Sequence, residues 1–251
     1  MPNHLLLVTG AAGFVGSHAI KYGLQSQFYD FVLATDLRPM EAFSVDKESK
    51  LEFVQADLTN PKDLKRLRSH LEKYREYKIV VWHIGGCFNY SAPLELLYKV
   101  NADGTFLLLS MLFGANFDLQ RLVFWSGGVV YGNFNHPNGN LPATEEYPVK
   151  LQEGYGWSKR AAENWVLGFH KKFGLPVSVM RLGAIYGPGA QYGMACAFIL
   201  NGKGLLAPIL VGSKKNRAGL IHVEDVVRVA DFLSWQSEAN GEIYNVVDDC
   251  H

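Results

Sequence analysis

Six short runs, Leu5–Thr9, Phe31–Thr35, Leu51–Gln55, Ile79–His83, Leu122–Trp125 and Val177–Arg181, are nearly all apolar rather than alternating. A strand with one wet face alternates, so such runs read as strands buried on both faces, as in a parallel sheet covered by helices. Helix-length segments lie between them. Asn60-Pro61 pairs an N-cap residue with proline at the first helical position, and Leu64, Leu67 and Leu71 follow at helical spacing. Residues 93–113 supply a second helix and 158–173 a third, which Gly174-Leu175-Pro176 stops. The alternation predicts an α/β fold, a doubly wound parallel sheet. A last apolar run, Ile243–Val247, predicts a final strand, and Phe134–Gly139 reads as a turn-rich loop.

The first run breaks directly into Thr9-Gly10-Ala11-Ala12-Gly13-Phe14-Val15-Gly16. Glycine at every third residue, with a strand before and a helix after, permits a tight turn and a close approach of backbone to a pyrophosphate. The helix N-terminus, with Phe14 and Val15 in its opening turn, then faces that anion. Asp36 closes the second run, twenty residues beyond Gly16. An acid there can accept from both ribose hydroxyls of NAD and repel the 2′-phosphate of NADP; otherwise it is a solvated turn residue. Arg38 could instead accept a 2′-phosphate, so NAD is expected and NADP stays open. Asp57-Leu58, after the third run, is placed to meet the adenine edge.

Tyr155-Gly156-Trp157-Ser158-Lys159 sets Tyr155 and Lys159 four apart, on one face of a helix. A free phenol is a poor base at neutral pH, and a nearby ammonium favours the phenolate. Such a tyrosine can move a proton while a nicotinamide exchanges hydride. On an arbitrary surface helix the pair would mean little; late in a dinucleotide-binding sheet it acquires weight.

With these motifs the chain resembles the extended short-chain dehydrogenase/reductase family, in its NAD-dependent epimerase/dehydratase group. The resemblance also rests on Val81-Trp82-His83-Ile84-Gly85-Gly86, Val100-Asn101-Ala102-Asp103-Gly104-Thr105 and Ser126-Gly127-Gly128-Val129-Val130-Tyr131-Gly132. Further stretches are Arg181-Leu182-Gly183-Ala184-Ile185-Tyr186-Gly187-Pro188-Gly189, Ile221-His222-Val223-Glu224-Asp225-Val226 and Gly241-Glu242-Ile243-Tyr244-Asn245-Val246. It implies a Rossmann-type NAD(P)-binding domain over 1–185 and 220–251, with 186–219 as part of a small substrate-binding lobe, either cut short or unusually compact. It further implies Tyr155 as general acid/base, with Lys159 holding the nicotinamide ribose and lowering the tyrosine pKa. Gly85, Asn101 and the Tyr186-Gly187-Pro188 turn would line the cofactor.

Two positions depart from the family pattern. The family's catalytic hydroxyl falls at Gly127, so Ser126, one residue early, is the only catalytic hydroxyl candidate in that stretch. If strand-like, it points to the opposite face. Ala184 replaces an asparagine that contacts the sugar nucleotide in the epimerases. The expected function is therefore NAD(P)-dependent hydride transfer on a small alcohol or carbonyl substrate, closer to the hydroxysteroid-dehydrogenase and reductase branches than to UDP-sugar epimerases. A nucleotide-binding sensor or scaffold with little catalysis is the alternative. Phe88, Tyr90 and Tyr192 are substrate-side candidates, since they follow the fourth run and the Gly-Pro-Gly turn. Cys87 reads as a buried, unreactive thiol and His222 as structural.

Lys and Arg number 24 against 24 Asp and Glu, and a nucleic-acid binder would carry a basic excess. Three dispersed cysteines suggest a reducing cytoplasm and no disulfide framework. No metal-ligand spacing and no apolar stretch of about 18 residues occur, so neither a metal nor a membrane is expected. The family implies a homodimer through the helices carrying Asn101 and Tyr155. Relatives usually continue past Val247, so an open substrate side is expected.

Overall fold

The computed structural model describes residues 3–39, 50–132, 143–191 and 219–248. Seven strands form one parallel sheet: β1 (His4–Thr9), β2 (Phe31–Asp36), β3 (Leu51–Gln55), β4 (Lys78–His83), β5 (Leu119–Gly127), β6 (Val177–Leu182) and β9 (Ile243–Val246). Their order is β3-β2-β1-β4-β5-β6-β9. Strands β7 (Ala184–Tyr186) and β8 (Leu220–His222) pair separately. The six apolar runs are all strands of the large sheet, and the end of the chain supplies its seventh.

Both faces of the sheet are covered, which is why its strands do not alternate. On one face, Leu6, Val8, Val80, Trp82, Val123 and Met180 pack against α1 (Phe14–Gln25) and α6 (Val223–Trp235). On the other, Leu5, Leu7, Val81, Phe124 and Val179 pack against α2 (Pro61–Leu71), α4 (Gly104–Gly114) and α5 (Gly154–Phe173). The Asn60 side chain accepts from Lys62 N with Pro61 in the first turn, so α2 starts where capping chemistry dictates.

Two helices differ from their sequence expectation. Helix α5 begins one turn early, at Gly154, and so carries Tyr155 in its first turn. The segment expected over 93–113 is α3 (Leu94–Leu97), a π-helical turn (Tyr98–Asp103) and α4 in one rod. Leu94–Gly114 is long and apolar enough, by length and composition, to cross a membrane. Here Leu108, Leu109 and Leu112 are buried against the sheet, as in the core helix of a globular domain.

Registers bring the functional segments to one edge. Thr9 pairs with both Thr35 and His83, so Gly10, Asp36 and Ile84 leave the sheet side by side at its carboxyl end. This is where doubly wound sheets bind ligands.

Candidate active site

The glycine turn is a cradle that side chains would fill. Gly10 has φ +68°, and a Cβ there would lie 2.7 Å from Gly85 Cα. A Cβ on Gly16 would lie 2.1 Å from the Gly10 carbonyl oxygen. Gly13 occupies the N-cap of α1 in extended conformation and no side chain caps the helix. The opening N–H groups, including those of Phe14, Val15 and Gly16, have no intrahelical acceptor and face the cradle. This geometry fits a dinucleotide pyrophosphate.

Asp36 stands beside that turn. Its carboxylate accepts from Ala12 N at 2.9 Å and from Arg38 N at 2.8 Å, which ties the end of β2 to the glycine loop. Arg38 is half exposed; it donates to the Ala12 carbonyl and approaches Asp36 at 3.5 Å. Asp57 Oδ1 accepts from both N and Oγ1 of Thr59, so this carboxylate shapes the turn after β3, with Leu58 half-buried next to it.

A buried polar chain runs beneath the β4 end. Gly85 N donates to Thr9 Oγ1, Thr9 Oγ1 contacts His83 Nδ1 at 2.7 Å, and His83 Nε2 contacts Thr105 Oγ1 at 2.8 Å. Thr105 spends its proton on the Asn101 carbonyl, at 2.6 Å. His83 therefore donates from Nε2 and accepts from Thr9 at Nδ1, a neutral imidazole with both nitrogens satisfied. Burial, with the Lys159 charge adding to it, pushes His83 down to about 3. Asn101, expected to touch the cofactor, is buried and commits its side chain elsewhere. Its Oδ1 accepts from Cys87 N, and its Nδ2 donates to Cys87 O and Ser158 Oγ. It holds the Gly85–Cys87 segment against α5. Cys87, expected to be buried, is half-exposed.

Ser126 is not placed for catalysis. Its hydroxyl is buried and donates to Glu163 Oε1 at 2.6 Å, on the side predicted by strand alternation for a residue one step out of register. At Gly127 a Cβ would meet Val129 Cγ1 at 3.6 Å and Val129 N and the Leu182 carbonyl at 3.9 Å, ordinary van der Waals contacts, so a β-carbon fits there without a clash.

Lys159 is buried, and its Nζ donates to the Trp125 carbonyl at 2.5 Å and lies 4.4 Å from the Phe124 ring centre. Burial brings it down to about 8, with Glu163 opposing the fall. Tyr155 departs from the expectation of a lowered pKa. Burial holds its phenol well above the ordinary value, with Tyr90 and Cys87 adding to the rise. The ammonium that was to lower it is turned to the Trp125 carbonyl. The Tyr90 ring packs 4.8 Å from the Tyr155 ring and Phe88 is half exposed. Tyr192 lies outside the described residues.

The sequence matches the NAD dependent epimerase/dehydratase family over residues 6–246. The chain belongs to this family. A protein of Methanocaldococcus jannaschii assigned as a UDP-glucose 4-epimerase is 28% identical over 243 residues, 93% of this chain and 75% of that protein. An Arabidopsis thaliana 3beta-hydroxysteroid-dehydrogenase/decarboxylase is 25% identical over 94% of this chain and 54% of its own. Among solved structures, the Streptomyces venezuelae dTDP-glucose 4,6-dehydratase DesIV, with NAD bound, is 25% identical. It superposes with TM-score 0.81 over 96% of this chain and 75% of its own. The family assignment agrees with a seven-stranded parallel sheet carrying its glycine turn after β1.

Sequence reasoning missed one feature of the site, the buried Glu163–Arg181 ion pair at 2.8 Å beneath Lys159. A signal existed: Arg181 is the one charge in an otherwise apolar run, and a buried charge requires a partner.

Proposed function

We propose that the chain is an NAD-dependent oxidoreductase or epimerase acting at a secondary alcohol or ketone carbon. The observation that carries the reading is the meeting of three features at one sheet edge: the glycine cradle, Asp36, and the Tyr155–Lys159 face of α5. Bound NAD would take up or return the hydride. Gly10, Gly13 and the α1 N-terminus would hold the pyrophosphate, and Asp36 would offer acceptors to the adenosine ribose. With the cofactor bound, Lys159 would donate to its ribose hydroxyls. Its approach lowers the Tyr155 phenol, whose oxygen then accepts or gives the substrate proton.

The substrate reading is an apolar-bodied alcohol of sterol type. Gly127 and Ala184 offer no polar side chain, while Phe88 and Tyr90 present aromatic surface at the site mouth. The second reading is a nucleotide sugar, favoured by the archaeal relative and by DesIV. The test is calorimetric titration with NAD and NADP, followed by a turnover panel of 3β-hydroxysteroids, UDP-glucose and dTDP-glucose read by NADH absorbance and product chromatography. Tighter binding of NADP would overturn the cofactor reading. NAD binding without turnover on any class would favour the sensor reading. A homodimer through α4 and α5 belongs to the same proposal: Phe113, Trp165 and Phe173 there are each 43% exposed.

A further inference from the structure

Adjacent residues of β5 grip two charges of α5. The Trp125 carbonyl accepts from Lys159 Nζ at 2.5 Å, and the Ser126 hydroxyl donates to Glu163 Oε1 at 2.6 Å. Lys159 and Glu163 are four apart, hence neighbours on one helix face. Glu163 is fully buried and also accepts from Arg181 Nε at 3.0 Å, Arg181 Nη2 at 2.8 Å and Arg160 Nη1 at 2.8 Å. Arg181 Nη1 continues to the Tyr131 hydroxyl, which donates to Asn245 Oδ1 on β9. One carboxylate thus sits among three cations, and a bond to each arginine and to Ser126 fixes its place.

We propose that Glu163 is a positioning residue for Lys159: its buried carboxylate, one turn along α5, holds the lysine as an oriented cation under the cofactor cradle. The inference rests on the reading that Lys159 serves a bound NAD. The groups around Lys159 leave Glu163 as its only anionic support among the described residues. From β4 comes His83, neutral, and from β5 the Phe124 ring and the Trp125 carbonyl. From the segment after β4, Gly86 brings backbone near Nζ. Burial already brings Lys159 down to about 8, and Glu163 works against that fall. Without the carboxylate, burial acts on the ammonium unopposed and its proton is held less tightly.

The direct test reads Lys159 without cofactor. Competitive acetylation of the folded protein over about pH 6–10, with the Lys159 peptide quantified by mass spectrometry, gives the midpoint of its titration. We expect a midpoint near 8 in the native chain and one about a unit or more lower in Glu163→Gln. NAD affinity of that variant should fall about twofold or more at neutral pH and recover in mild acid. Because Glu163→Gln leaves Arg181 without its ion-pair partner, Glu163→Asp is the second variant. It keeps the charge, withdraws it by one methylene, and should move the midpoint the same way by less. A midpoint unmoved in whichever variant folds overturns the proposal. Should the native chain bind no NAD at any pH, the functional reading fails, while the acetylation midpoint still decides the role of Glu163.

Discussion

Replacing Gly16 by alanine tests whether the turn after β1 is a cradle set by steric contact. The added Cβ would lie 2.1 Å from the Gly10 carbonyl oxygen and 2.8 Å from Ala11 Cα. Both neighbours are backbone of the same turn, so relief requires α1 to move outward by about an ångström. Overpacking of this kind costs about 1–3 kcal/mol. For a chain of this size that is a fall in Tm of roughly 2–12 °C. The displaced helix N-terminus should also weaken NAD binding more than tenfold, since the N–H groups no longer converge on one anion. Gly168→Ala is the control of opposite sign. It lies within α5 with nothing inside 4 Å of the new Cβ, and glycine to alanine in a helix stabilises by about 0.5–1 kcal/mol. Differential scanning fluorimetry and calorimetric NAD titration read both effects. A Gly16→Ala protein with native Tm and native NAD affinity would refute the steric argument.

Gly127→Ser should raise turnover on a carbonyl substrate, because the Cβ has room and the hydroxyl is a donor where negative charge develops on oxygen; such donors are worth about 10²–10³ in rate. A fall in kcat would mean the substrate occupies that space. Trp165→Glu should convert a dimer to monomer in sedimentation velocity, since it places charge beside Phe106 on a helix pair whose Phe113 and Phe173 are also exposed; an unchanged sedimentation coefficient would exclude this face. Acid stability should carry the signature of His83. Its folded pKa of about 3 lies below the unfolded value of 6.5, so the unfolded chain binds one more proton between them. Stability is then full above pH about 6.5 and falls by up to about 1.4 kcal/mol per unit towards pH 3. Urea titrations at stepped pH measure the slope, and in His83→Asn it should shrink by up to one proton; an identical slope would show that His83 takes up no extra proton on unfolding.

Much of the fold was written locally. Apolar runs without alternation gave the strands of the parallel sheet, and Asn60-Pro61 marked the start of α2 because capping depends on adjacent residues. The glycine turn and Asp36 were legible for the same reason, as strand ends meeting at one edge. What escaped depends on partners remote in sequence. The π-turn at Tyr98–Asp103 accompanies Asn101 bonds to Cys87 and Ser158, fourteen and 57 residues away. The direction of the Ser126 side chain is set by Glu163 across a helix–sheet interface. The raised Tyr155 pKa follows from burial, with Tyr90 and Cys87 adding to it, which Tyr–Lys spacing alone does not encode. The Rossmann-type sheet and family were visible in motif order, whereas the substrate has no local rule that would read it from the sequence.

Whether Tyr155 moves the proton at a site built to hold NAD is tested most directly by Tyr155→Phe, with NAD calorimetry and turnover on the responsive substrate. The ring still packs against Tyr90, so NAD affinity should stay within about twofold while kcat falls by at least 10²–10⁴, the range of general acid–base catalysis. Native turnover in Tyr155→Phe, with NAD still bound, would contradict the account.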